Sequence, residues 1–128
     1  VVGEAVEADR VLAGASPQAY TPDLAGSLNN LAIRLSAVGE PGEALVVARE
    51  AVDLRRVLAE ASPQAYTPDL AMSLNNLANH LSAVGERGEA LVAAREAVEL
   101  YRALAEASPQ AYTAERAMWL GNLGNTRS

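Results

Sequence analysis

The chain has 128 residues, half of them apolar, with ten basic and sixteen acidic side chains and a net charge of −6. No stretch approaches the roughly 18 apolar residues of a membrane span, and the acidic balance disfavours phosphate backbones and anionic lipid, so neither nucleic acid nor membrane is expected as a partner. The absence of cysteine excludes disulfides and thiolate metal sites, and the absence of lysine removes Schiff-base and lysine-base chemistry. No basic stretch followed by an apolar run opens the chain at Val1, so no secretory signal is read there and a cytoplasmic location is expected.

Tyr20 begins a 46-residue stretch that recurs from Tyr66 with only eight changes, at positions 26, 33, 34, 41, 47, 53, 55 and 57 of the first copy. A unit recurring at this period cannot bury its apolar face alone and stacks on its copies, which predicts an all-α solenoid. Shifted by the same period, Val2, Ala5 and Val6 align with Ala48, Ala51 and Val52, so 1–19 reads as the second helix of a partial unit.

In the first full unit, 20–65, Thr21-Pro22-Asp23 reads as a helix start: a capping hydroxyl, a proline at the first helical position and an acid at the positive end of the dipole. Leu24, Leu28, Leu31, Ala32 and Leu35 follow as one stripe of helical period. Gly39 is expected to stop the helix in a left-handed cap, and the short link 39–42 turns the chain back antiparallel. The second helix is predicted over 43–61 with Ala44, Leu45, Ala48, Ala51, Val52 and Leu54 inward. Arg49, Glu50, Asp53 and Arg56 are expected to face water, with Arg49 and Asp53 as an i,i+4 pair of about 0.2–0.5 kcal/mol. Pro63 marks the boundary, and Tyr20, Tyr66 and Tyr112 before each capping Thr are read as hydrophobic staples or as fillers between units.

The second unit, 66–111, repeats these signals, with Thr67-Pro68-Asp69 at its start, Gly85 at its turn, a second helix over 89–107 and an Arg95–Glu99 pair. Leu120 and Leu123 match Leu74 and Leu77, so 112–128 reads as the first helix of a further partial unit, within one repeat domain spanning 1–128. The two unpaired halves would complement each other if one chain's tail met another's head, so a homo-oligomer is the alternative expectation.

The spacing of Leu28, Leu31, Ala32, Leu35, Gly39, Ala44, Ala48 and Ala51, repeated from Leu74 to Ala97, resembles the large-small packing pattern of the tetratricopeptide repeat. The LNNLA and GEALV segments and the long unit are similar to the kinesin-light-chain-like arrays of bacterial proteins. The resemblance implies helical hairpins whose first helices line a concave groove, and a scaffold that binds a peptide or protein segment there as part of a larger regulatory protein.

The groove positions by helical register are Asn29, Asn30 and Ile33, then Met72, Asn75, Asn76 and Asn79, then Met118, Asn122 and Asn125. Asn30, Asn76 and Asn122 share one repeat position, and an amide both donates and accepts, which suits an extended peptide backbone as well as a bond between neighbouring helices. The family's receptors for a chain-terminal carboxylate need Lys and Arg in the groove. Arg34 beside it is replaced by His80 in the next unit, so that role is not expected. One histidine, no GxSxG serine and no glycine-rich phosphate loop leave catalysis, metal and cofactor without sequence support. Trp119 has no counterpart, since Ser27 and Ser73 hold its position.

Overall fold

The computed structural model describes residues 2–15 and 17–107, with side chains placed from Gly3 to Gly14 and from Thr21 to Ala107. Five helices follow one another: α1 (Val2–Ala15), α2 (Pro17–Ala37), α3 (Pro41–Ala61), α4 (Pro63–Ala83) and α5 (Arg87–Ala107). Alanine and leucine favour helix, and no strand interrupts the described residues. The expectations for 112–128, Trp119 included, lie outside the described residues.

The hairpin turns form as the sequence predicts. Gly39 and Gly85 take φ of 85° and 84°, a left-handed conformation that costs a side-chain-bearing residue about 1–2 kcal/mol. In each turn the glycine N–H donates back to Ser36 or Ser82, and the following Glu40 or Glu86 N–H donates to Leu35 or Leu81 at 2.8 and 2.9 Å. These paired bonds satisfy the last carbonyls of α2 and α4 and fix the chain reversal.

The helix starts differ from the sequence reading. α4 begins at Pro63 rather than after Thr67, which leaves Pro68 inside the helix, and α2 likewise begins at Pro17 with Pro22 inside. Pro63 already supplies the preset φ of a first helical position. Ser62 serves both neighbours through its backbone: its N–H donates to the Leu58 carbonyl at 2.9 Å, and its own carbonyl accepts from Ala65 and Tyr66 at 3.2 and 3.1 Å. The added turn carries Tyr66 onto the apolar core, so it packs from within the helix instead of stapling a loop ahead of it. α3 also starts two residues early, at Pro41.

Packing joins the elements in order, α1 on α2, α2 on α3, α3 on α4 and α4 on α5. Beyond these, α2 touches α4, whereas the backbones of α1, α3 and α5 stay apart. The first helices α2 and α4 therefore form a close inner layer, and the second helices form a splayed outer layer. Successive units approach more closely on the inner side, which makes it the concave side.

Alanine fills the tightest contacts: Ala32, Ala44 and Ala51 in one unit and Ala78, Ala90 and Ala97 in the next have no exposed surface. Larger side chains lie between them. Leu24, Leu28 and Val6 form one apolar cluster, and Leu70, Leu74, Leu77, Leu81, Val98 and Tyr101 form the larger one. Val47 packs against both and links them. Each fully buried leucine contributes about 1.5–3 kcal/mol of transfer free energy to the seam between layers.

Candidate functional site

The inner face is built by α2 and α4 lying side by side. Asn76 donates from Nδ2 to Oδ1 of Asn29 at 3.1 Å, and Asn29 is only 7% exposed. A pair of amides thus joins successive first helices across their contact. Asn75, the repeat equivalent of Asn29, is half-buried and also partnered. Met118, Asn122 and Asn125 lie outside the described residues.

Asn30 and Arg34 are exposed, although their equivalents Asn76 and His80 are covered. The reason is positional. α4 turns Asn76 toward α2, and His80 lies one helical turn further on the same side, while the matching flank of α2 faces away from α4. His80 is buried, and loss of water around it holds its pKa below the ordinary imidazole value.

Three repeat positions stay open in both units or nearly so. Ile33 is 48% exposed and its equivalent Asn79 is exposed; Met72 is 47% exposed opposite half-buried Gly26; Ala37 and Ala83 are both exposed. On either helix these residues fall at i, i+7 and i+11, one continuous stripe. Asn30, Ile33, Arg34 and Ala37 line a depression of about 410 Å³ on α2. Ile33 and Met72 are large apolar side chains left half in water, and Asn79 is an exposed amide between them and the turn.

The outer face has a different chemistry. Arg10 makes a two-pronged pair with Glu50 at 2.7 and 3.0 Å, and Arg56 does the same with Glu96 at 2.7 and 3.3 Å. Arg10 and Arg56 share a repeat position, as do Glu50 and Glu96. Arg49 reaches Glu89 at 2.9 Å, so it crosses to the next unit instead of pairing with Asp53 on its own helix. These bonds raise the Arg10 and Arg56 pKa values, chiefly through the carboxylate hydrogen bond and against a smaller burial effect. The Arg49–Glu89 and Arg56–Glu96 pairs line a cavity of about 400 Å³ floored by Leu74, Leu77 and Leu81 between α3 and α5.

Sequence reasoning treated these charges as a solvated face. The signal that would have found them is the separation of 40 residues between each Arg and its Glu, which recurs in register with the repeat.

At the joint between units, α1 and α3 each send one side chain to a serine on the following first helix. Ser27 donates its hydroxyl to the Asp9 carboxylate, and Arg55 donates from Nη1 to Ser73 Oγ at 2.6 Å and to the Asp69 carbonyl at 3.3 Å. Among the described residues no group of three or more His, Cys, Asp or Glu is placed to hold a metal ion. No helix is long and apolar enough to cross a membrane among them either.

No curated protein matches the chain. Two segments, residues 24–64 and 70–109, each match the family model described as tetratricopeptide repeat, and each takes in most of an inner helix and the whole outer helix that follows it. Repeats of this family generally mediate protein–protein interaction and are not catalytic. With hairpins, left-handed turns and inner-to-inner packing all in the matched register, the chain belongs to the tetratricopeptide repeat family.

Proposed function

We propose that this chain is an interaction scaffold that binds a peptide or protein segment along the concave groove lined by α2 and α4, as part of a larger regulatory protein. The observation that carries the reading is the stripe of positions left open in successive units, where half-exposed Ile33 and Met72 stand with uncharged Ala37, Asn79 and Ala83. Exposed apolar side chains on a concave surface lose unfavourable hydration when a partner covers them. Asn79 and Asn30 add amides that can pair with an extended backbone without selecting its side chains. The Asn76–Asn29 bond serves a different end, since it holds the two helices at the spacing the groove requires.

Two of the eight differences between the units, Gly26 to Met72 and Ile33 to Asn79, fall on the open stripe. The leucines beneath it, Leu24, Leu28, Leu31 and Leu35, recur unchanged in the second unit, while Val47 to Ala93 and Arg55 to Tyr101 alter the outer helix behind them. Variation on the open stripe above constant leucines fits contact along one ligand.

The test is to select extended peptides against the immobilised chain and map the bound peptide by side-chain NMR. Bound peptide is expected to shift the Ile33 and Met72 methyl groups and the Asn79 amide, with Val46 and Val92 on the outer face unchanged. Shifts confined to the outer face would refute the groove.

A further inference from the structure

The groove carries one cation that its own helices do not supply. Arg55 belongs to the outer helix α3, three residues after Val52 and four after Ala51, so it sits on the inward stripe and not on the solvated one. Its guanidinium passes between the inner helices. Nη1 is fastened to α4 through Ser73 and the Asp69 carbonyl. Nη2 ends beside α2, 3.8 Å from where a Cβ on Gly26 would stand, and among the described residues, the chain neighbours and the helix's own backbone apart, no other atom lies within 4 Å of that point. Nε and Nη2 make no hydrogen bond among the described residues, yet no side-chain nitrogen there is both fully buried and unpartnered, so these donors remain within reach of water.

The electrostatics favour an added anion. Burial lowers the Arg55 pKa more than the Asp69 carboxylate raises it, so the cation is under-compensated where it stands. The second unit is built otherwise. There Tyr101 replaces Arg55 and donates its hydroxyl to the Pro68 carbonyl at 3.5 Å, while Met72 replaces Gly26. Arginine thus occurs with glycine in front of it, and the neutral tyrosine occurs with a side chain in front of it.

We propose that the Arg55 guanidinium, open to the concave groove beside Gly26, is a carboxylate-binding site that takes an acidic side chain of the bound segment. Nη2 and Nε supply the two donors of a planar fork that matches a carboxylate's two oxygens. The missing side chain at residue 26 gives the carboxylate its approach. This rests on the groove reading, and it adds a charge preference that the open stripe alone does not give.

The experiment uses the whole chain and three probes, the blocked Ac-AADAA-NH2 and Ac-AANAA-NH2 and the free-terminus Ac-AAAAA-OH, followed by the Arg55 Nε–Hε signal and the Ile33 and Asn79 signals. The aspartate peptide is expected to shift Arg55 and to bind about tenfold more tightly than the asparagine peptide, the factor that corresponds to one charge-assisted hydrogen bond. Gly26→Met is expected to remove that difference while leaving the circular dichroism spectrum and the Ser73 contact unchanged. Arg55→Gln is expected to remove it as well, and Gly26→Met keeps the test informative if Arg55→Gln loosens the fold.

Equal binding of the aspartate and asparagine peptides, with Ile33 and Asn79 shifting for both, would overturn the carboxylate site and leave the groove. No shift at Ile33 or Asn79 with any probe, combined with no shift at Arg55, would count against both. A response of Arg55 only to Ac-AAAAA-OH would overturn the assignment to an acidic side chain in favour of a chain terminus.

Discussion

The inner and outer faces of this stack are built from the same repeat and spend their polar groups in opposite ways. On the outer face, arginine and glutamate of successive second helices close on each other at 2.7–2.9 Å, bridging helices whose backbones do not meet. On the inner face the backbones do meet, one amide pair secures the contact, and Ile33, Met72 and Asn79 are left facing water. Charge on the outside therefore bridges the array where backbones do not meet. The inside secures its contact with one amide pair and presents the rest of its surface.

The comparison breaks most completely if the seam shared by both faces is weakened. Leu28 has no exposed surface, and Leu28→Ala is expected to cost about 2–5 kcal/mol in urea unfolding through the lost transfer energy and the cavity left behind. Both faces should lose order together.

A sharper cut separates the two flanks of the inner helices. Asn76→Ala strands the buried Asn29 carbonyl and is expected to cost about 1–3 kcal/mol, whereas Asn30→Ala, at the same repeat position on an uncovered flank, is expected to cost almost nothing. His80 lies on that covered flank and adds a pH dependence. Its native pKa is below the ordinary 6.5, so the unfolded chain takes up the proton first. Stability is then intact above pH 6.5 and falls as pH drops from 6.5 through the lower native value. Chemical unfolding of wild type and His80→Asn between pH 8 and 5 should show the slope only in the wild type.

The turns answer next, at about 1–2 kcal/mol for Gly85→Ala, because the φ of 84° admits glycine readily and alanine poorly. The outer straps should give the smallest effect. A double-mutant cycle on Arg56→Gln and Glu96→Gln is expected to return about 0.2–1 kcal/mol, falling further in high salt, since both side chains are more than a third exposed. Loss of one strap should leave the inner face intact.

The helical hairpins and both left-handed turns were legible in the sequence because each rests on local signals that the 46-residue repeat presents twice. The helix starts were not. Each junction offers two prolines suited to a first helical position, Pro63 and Pro68 in the second unit, and local chemistry alone does not choose between them. The choice follows from tertiary burial of Tyr66, which requires the earlier start.

The charged pairs were misread for a related reason. Arg49 has an acid four residues on and another 40 residues on, and only the stack brings the distant one within 2.9 Å. The groove was legible as a face, since helical register alone puts Ile33, Met72 and Asn79 together. Two features beneath it were not: Asn29 turned inward to hold Asn76, and Arg55 reaching the inner layer from a helix assigned to the outer one.

The most direct test of the division between faces sets two matched pairs of substitutions against each other. Peptides selected against the wild-type chain are titrated into Ile33→Asp with Asn79→Asp, and into Val46→Asp with Val92→Asp, whose side chains are also exposed, on the outer helices. The account predicts that the inner pair abolishes binding and the outer pair leaves it unchanged, both variants keeping wild-type helicity. Binding lost with the outer pair and retained with the inner pair would contradict it.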